Sequence, residues 1–126
     1  MASVNIRYIV RDIPASLQFY RDLLAFEVEQ NPGPGFASVT RGELRLLLSA
    51  NAGTGGGAVQ AMPDGAQPVP GGWNRVQLRV DDLEREVERL KQRGARFRNQ
   101  VVQGKGGRQI LLEDPAGNLI ELFQPA

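Results

Sequence analysis

The sequence predicts an α+β fold of two tandem βαβββ modules within a single domain. A repeat carries this first: "IVRDIPASLQFY" and "LRVDDLEREVER" share the order strand, aspartate, helix, with Asp12 opposite Asp82, and self-similarity at a long period marks a duplicated unit. Behind each helix come three short segments of strand composition, separated by Gly, Pro and Asn. Length and composition agree, because 126 residues with 41% hydrophobic and 23% charged side chains suffice for one packed core.

Taken in order, "VNIRYIV" at 4–10 alternates and is rich in β-branched and aromatic types, so it reads as a strand. "RDIPASLQFYRDLL" at 11–24 reads as a helix. Asp12 offers an N-cap oxygen, Pro14 falls in the first turn where an N–H is dispensable, and Leu17, Tyr20 and Leu24 recur at helical spacing. "FEVEQN", "GFASVTRG" and "ELRLLLSA" follow as strands and complete a first module at about 3–50. The second module, at about 73–126, opens with the strand "NRVQLRV" and the helix "DDLEREVERLKQRG". Asp81 or Asp82 caps that helix, Leu83, Val87 and Leu90 form its apolar stripe, and Gly94 stops it. Its charged face reads as solvated. "ARFRNQVV", "GRQILLEDP" and "NLIELFQ" are the closing strands.

Between the modules lies "NAGTGGGAVQAMPDGAQPVPGG", a linker at about 51–72. Its Gly-Gly-Gly is not followed by Gly-Lys-Ser/Thr and no helix begins there, so a flexible linker is the reading rather than a phosphate loop. Loops of this length also serve as lids over pockets.

Several function classes drop out on composition. A net charge of +1, from 15 basic and 14 acidic side chains, gives no electrostatic footprint for nucleic acid. The opening "MASVNIRYIVRDIP" has neither a signal-like nor a membrane-spanning apolar run, so the expectation is a cytoplasmic protein with no membrane partner. The absence of cysteine removes disulfides and thiolate chemistry, and the absence of histidine removes the commonest general base and metal ligand. Acid–base chemistry would fall to Asp, Glu, Tyr, Lys or water, and a metal would need oxygen ligands.

"YIVRDIPASLQFYRDLLAFEVE", "VDDLEREVERLKQRGARF" and "LLEDPAGNLIELFQP" together resemble the vicinal oxygen chelate superfamily. That group includes glyoxalase I, extradiol dioxygenases, fosfomycin-resistance transferases and bleomycin-resistance proteins. The resemblance implies a cupped mixed sheet around a small-molecule cavity, helices on the outside, and assembly as a homodimer. One departure is Ala25, where the family usually has glycine. A left-handed alanine costs roughly 1 kcal/mol, so the first helix is expected to end differently.

The resemblance also implies where a metal would sit. Family enzymes place a histidine on the first strand of each module, seven residues before the helix-opening aspartate, and a carboxylate on the last strand. Those positions here are Asn5, Arg75 and Glu121, with Leu46 as the fourth when "GELRLL" is aligned on "GNLIEL". Arg has no usable lone pair, and a single carboxylate with a weak amide does not make a divalent-cation site. Arg75 is expected instead to pair with Glu121 in the space of the metal, because a lone buried carboxylate is costly. The same pair also reads as a purely structural remnant of a degenerate site.

Strand alternation extends the set. With Asn5 and Arg75 in the cup, Arg7, Ile9, Gln77 and Arg79 share their face, Leu119 and Phe123 join Glu121, and Ile6, Tyr8, Val10, Val76, Leu78 and Val80 pack on the helices. Trp73 would wall the entrance. The expected ligand contacts are therefore Asn5, Arg7, Leu46, Trp73, Arg75, Gln77, Glu121 and Phe123, suited to a planar or amphiphilic ligand bearing carboxylate, phenolate or carbonyl oxygen. Arg7 and Arg79 also read as partly solvated structural charges, and Trp73 as core or interface packing.

The function expected is metal-independent small-molecule binding of the glyoxalase/bleomycin-resistance type, without a cofactor. Bleomycin itself fits poorly, since a strongly cationic ligand prefers an acidic groove. The alternative is a metal-independent isomerase, epimerase or lyase with Glu121 as base and Arg75 as electrophile. A third reading is a metal-dependent lyase or dioxygenase with a carboxylate site built from Glu43 or Glu113 beside Glu121.

Overall fold

The computed structural model describes residues 4–51 and 56–126; residues 52–55 of the expected linker lie outside them, as do residues 1–3. The first module runs β1 (Val4–Ile9), α1 (Ile13–Gln18) continued by a π turn (Phe19–Leu23), β2 (Glu27–Gly33), β3 (Phe36–Arg41) and β4 (Leu44–Ser49). A short 3-10 turn (Gly56–Val59) follows. The second module runs β5 (Arg75–Arg79), α2 (Leu83–Gln92), β6 (Arg96–Phe97), β7 (Val102–Gln103), β8 (Gly107–Glu113) and β9 (Leu119–Pro125). The order is α+β and duplicated, as the repeat predicts.

Each module builds one mixed sheet. The first has the order β1-β4-β3-β2 and the second β5-β9-β8-β6, with β7 added alongside β8. In both, the opening strand pairs in parallel with the closing strand: β1 with β4, β5 with β9. The remaining pairs are antiparallel. Alternation sends Tyr8, Leu46, Leu48, Val76, Leu78, Ile120 and Leu122 to one side, where they join Leu17, Tyr20, Leu83, Val87 and Leu90 of the helices in one core shared by both modules. Among the described residues no helix is long and apolar enough to cross a membrane.

Both helices start as expected. Asp12 Oδ1 accepts from the Ala15 amide at 3.0 Å and Asp82 Oδ1 from the Arg85 amide at 3.1 Å. They end differently. In α2 the Ala95 amide reaches back to the Leu90 carbonyl at 3.0 Å, with Gly94 in the left-handed region at φ 83°. In α1 the Phe26 amide bonds Tyr20 O at 2.9 Å, one residue farther back, and Ala25 takes φ 59°, the one non-glycine residue with positive φ among those described. The stretch from Asp12 to Phe26 is one residue longer than that from Asp82 to Ala95. The π turn absorbs the extra residue, which is the usual structural outcome of such an insertion. The carbonyls freed at this end are taken by arginines: Arg41 Nη1 donates to Leu24 O at 3.0 Å and Arg89 Nη2 to Leu23 O at 2.7 Å.

The expected strand over 95–102 is broken in two. Only Arg96–Phe97 and Val102–Gln103 pair with β8. Between them the Asn99 side-chain oxygen takes the Leu111 amide at 2.9 Å, so a side chain replaces a ladder bond.

The Asp114–Asn118 turn clasps the two modules together. Asp114 is fully buried and accepts from Tyr20 Oη of α1 at 2.8 Å, the Ala116 and Asn118 amides at 2.9 Å each, and Asn118 Nδ2 at 3.0 Å. Asn118 Nδ2 also donates to Ile9 O at 2.8 Å and its Oδ1 receives the Gly71 amide at 2.8 Å, which ties down the end of the linker. Tyr8 adds a second link, its hydroxyl donating to Leu119 O and accepting from the Val76 amide, both at 2.9 Å. Burial first, and then the charge of Asp114 and its hydrogen bond, hold the Tyr20 phenol well above its ordinary value of 10.0; burial likewise raises Tyr8.

Candidate functional site

The sheet faces turned away from the helices carry the charged groups. In the second module, Gln77 of β5 lies directly across from Glu121 of β9, and Arg75 lies two residues before Gln77 on the same face. Arg75 Nε donates to Glu121 Oε1 at 3.0 Å and Gln77 Nε2 to Oε2 at 2.7 Å. The Glu121 side chain is 8% exposed and that of Arg75 28%, so the pair is charge-assisted and largely screened from water on its acidic side. Leu111, across the ladder from Glu121, and Leu119 are buried beside it, and Phe123 continues the face half-buried. Arg75 Nη1 also approaches Trp73 O at 3.4 Å. Trp73 is 68% exposed, with the Arg98 guanidinium 5.8 Å from its ring centroid, and Arg98 Nε pairs with Glu113 at 2.9 Å.

The equivalent face of the first module holds another set. Arg45 of β4 grips Glu29 of β2 with two bonds, Nε to Oε1 at 2.8 Å and Nη2 to Oε2 at 2.9 Å, and its Nη1 donates to Asn5 Oδ1 at 3.2 Å. Ser38 Oγ donates to Glu29 Oε1 at 3.1 Å, and Arg7 Nη1 to Ser49 Oγ at 3.1 Å. The hydrogen bonds from Arg45 lower the Glu29 carboxyl and raise the Arg45 guanidinium relative to their ordinary values.

The expected residues thus divide. Arg75, Gln77, Glu121 and Phe123 share one face, with Trp73 at its margin; Asn5 and Arg7 share the corresponding face of the other sheet. Leu46 does not join them. It is fully buried in the helix-side core, across from Ile6, whereas Leu47 lies across from Arg7. Arg7 corresponds to Gln77, each five residues before its helix cap, so Leu47 rather than Leu46 is the counterpart of Glu121. Aligning the turns misplaces the register by one residue, and a one-residue slip moves a side chain to the other face. Of the residues expected on the helix side, Tyr8, Val10, Val76 and Leu78 are buried there, while Ile6 remains 36% exposed.

Arg45, Glu29, Ser38 and Ser49 are absent from the expected set. A signal existed for two of them, since "LRLLLS" alternates Arg45, Leu47 and Ser49 against Leu44, Leu46 and Leu48. Glu29 had none, because β2 shifts register against β3 between Val28 and Gln30.

The donor set does not fit a divalent cation. The Arg75 guanidinium and the Gln77 amide each engage one carboxylate oxygen of Glu121. Glu113 is engaged by Arg98, and Glu43 is exposed. Among the described residues no three His, Cys, Asp or Glu side chains come together as a metal site.

Residues 3–122 match the family described as the Glyoxalase/Bleomycin resistance protein/Dioxygenase superfamily. The structure is similar to an antibiotic binding protein, TnmS3, from Streptomyces sp. CB03234, with 26% identity, TM-score 0.75, and coverage of 100% of this chain and 98% of that one. It also resembles lactoylglutathione lyase from Agrobacterium tumefaciens (19% identity, TM-score 0.73, 98% and 92% covered). The genomically encoded fosfomycin resistance protein of Listeria monocytogenes is similar in the same way (17% identity, TM-score 0.72, 100% and 94% covered). At these last two identities the likeness is one of fold. No curated protein matches the sequence significantly.

Proposed function

This chain belongs to the Glyoxalase/Bleomycin resistance protein/Dioxygenase superfamily, and on that premise we propose that it binds a small organic molecule without a metal ion. The ligand would lie on the helix-free strand faces, against Arg75, Gln77, Phe123 and Trp73 from the second module and Asn5, Arg7 and Leu47 from the first. The observation that carries this reading is the Arg75–Glu121–Gln77 cluster, in which the last-strand carboxylate is neutralised by one guanidinium and accepts a second hydrogen bond from an amide. The antibiotic-binding likeness at 26% identity supports it. The ligand class is a planar or amphiphilic molecule with carboxylate, phenolate or carbonyl oxygen for the partly exposed guanidinium groups, and aromatic surface for Trp73.

The working assembly is proposed to be a homodimer. Val4 is 62% exposed and Trp73 68%, which supports a second copy covering these two side chains. Catalysis with Glu121 as general base is the weaker reading, because a base must have an oxygen free to meet its proton and both are engaged.

Native mass spectrometry of untagged protein purified without chelators tests the proposal. A metal-free dimer carrying organic mass is the expected result, and stoichiometric divalent metal would overturn it. If turnover of a co-purified molecule is found, Glu121→Gln separates binding from catalysis: a binding protein keeps most of its affinity, and an enzyme loses turnover.

A further inference from the structure

A second candidate site lies on the seam between the modules, lined by none of the residues proposed above. Two adjoining hollows of about 280 and about 270 Å³ share Phe19, Leu23 and Pro115. One continues to Ala95 and Arg96 of the second module, the other to Gln18 and Arg93. Together they form a slot with an apolar floor, in which Phe19 is nearly buried and Leu23 and Ala95 are half-buried.

The hydrogen bonding of the charged groups along this slot is uneven. Its acids are already engaged: the Glu113 carboxylate with Arg98, and the buried Asp114 with Tyr20 and Asn118. Its cations are not. Among the described residues the Arg93 guanidinium has no partner, and Arg96 makes a single long contact, Nη2 to Asp114 O at 3.4 Å. The floor is supplied by the π turn, whose extra residue sets Phe19 and Leu23 beside Pro115 of the Asp-Pro turn. Local π segments of this kind recur at functional sites.

We propose that this slot binds a small amphipathic carboxylate, its ring or short alkyl chain laid over Phe19 and Leu23 and its carboxylate taken by Arg96, with Arg93 at the other end. The guanidinium fork matches a carboxylate in two-bond geometry, and the apolar body gains from burial against the floor. Each hollow is near the small end of ligand pockets, which selects a single ring or a short chain over a large drug-like molecule. The site stands independently of the ligand proposed for the helix-free faces.

The test is an NMR titration of the ¹⁵N-labelled full chain with 4-phenylbutyrate and, separately, with 4-phenylbutyramide. Saturable shifts are expected at the amides of Phe19, Leu23, Gly94 and Ala95. Affinity is expected to fall about tenfold for the amide probe, and about tenfold for the acid in the exposed double variant Arg93→Gln/Arg96→Gln. Lys105→Gln, an exposed cation that lines neither hollow, should leave the titration unchanged. Shifts centred on Trp73, Arg75 and Gln77, no saturation, or equal binding of acid and amide would each overturn the proposal.

Discussion

The first module holds its carboxylate among exposed side chains, whereas the second buries its own. Glu29 stands on the outer strand β2, half open to water and gripped by Arg45, with Asn5 beyond. Glu121 stands on β9 beside Arg75 and Gln77 and is almost closed off. Both sets comprise an arginine, a carboxylate and an amide, yet the one equivalent strand position they share holds Asn5 in the first and Arg75 in the second. The duplicated scaffold keeps strand order and helix caps, which depend on backbone geometry. The side chains on its open faces are free to rearrange, because any ladder position on a common face brings charges within bonding reach.

The turns differ in the same way. Asp114 anchors the second module's turn to Tyr20 of the first, while the corresponding turn before β4 contains Gly42 at φ 60° and the exposed Glu43. Breaking the clasp is expected to have the largest effect. Asp114→Ala leaves the Tyr20 hydroxyl and three N–H donors short of an acceptor in a buried site, and should cost about 3–5 kcal/mol in urea unfolding. Glu43→Ala should leave the midpoint within experimental error. Equal losses would show that the turns are equivalent after all.

Next in size is the contrast between the two carboxylates. Glu121→Ala removes the acceptor for Arg75 and Gln77 and opens a buried space, and should lower stability by about 2 kcal/mol, because Arg75 is open enough to rehydrate. Glu29→Ala should produce a much smaller change that shrinks further with added salt, as expected of an exposed pair.

Alkaline titration sharpens the same asymmetry. The folded-state Tyr20 phenol titrates above its ordinary value, chiefly through burial and then through Asp114, so the folded state holds its proton more tightly than the unfolded chain. The resulting stability is fully present below about pH 10 and is lost as pH rises from there through the raised folded-state value. Tyr20→Phe should cost about 1 kcal/mol at neutral pH and flatten the loss above pH 10, read from unfolding midpoints across pH. An unchanged alkaline slope would move that role to Tyr8, whose phenol is raised as well.

The smallest expected effect comes from the helix ends. Ala25→Gly should stabilise by about 1 kcal/mol or slightly less, and Gly94→Ala should destabilise by a similar amount, since both positions are left-handed. Thermal unfolding of the two variants would show opposite shifts. Shifts of the same sign would mean that the π turn, not the φ of Ala25, sets the cost at that end.

The element order, both N-caps and Gly94 were legible in the sequence, because each depends on local spacing or on the repeat itself; the pairing of Arg75 with Glu121 was expected only through the family resemblance. The position of Leu46 was misread because turn alignment does not fix strand register. The Glu29–Arg45 pair was hidden behind a shift in the β2 ladder, and the strand expected over 95–102 gave way where Asn99 took the place of a backbone partner.

By itself the sequence determined an α+β duplication, its caps and its hydrophobic faces, since periodicity and backbone preference act over a few residues. Beyond the Arg75–Glu121 pair, it was the packing of the two modules that decided which polar groups meet. Tyr20 and Asp114 are 94 residues apart in the chain and 2.8 Å apart in the fold. The seam slot needs a turn from one module set against the π segment of the other. Such encounters follow from packing two modules on one core, and no local pattern encodes the distance between them.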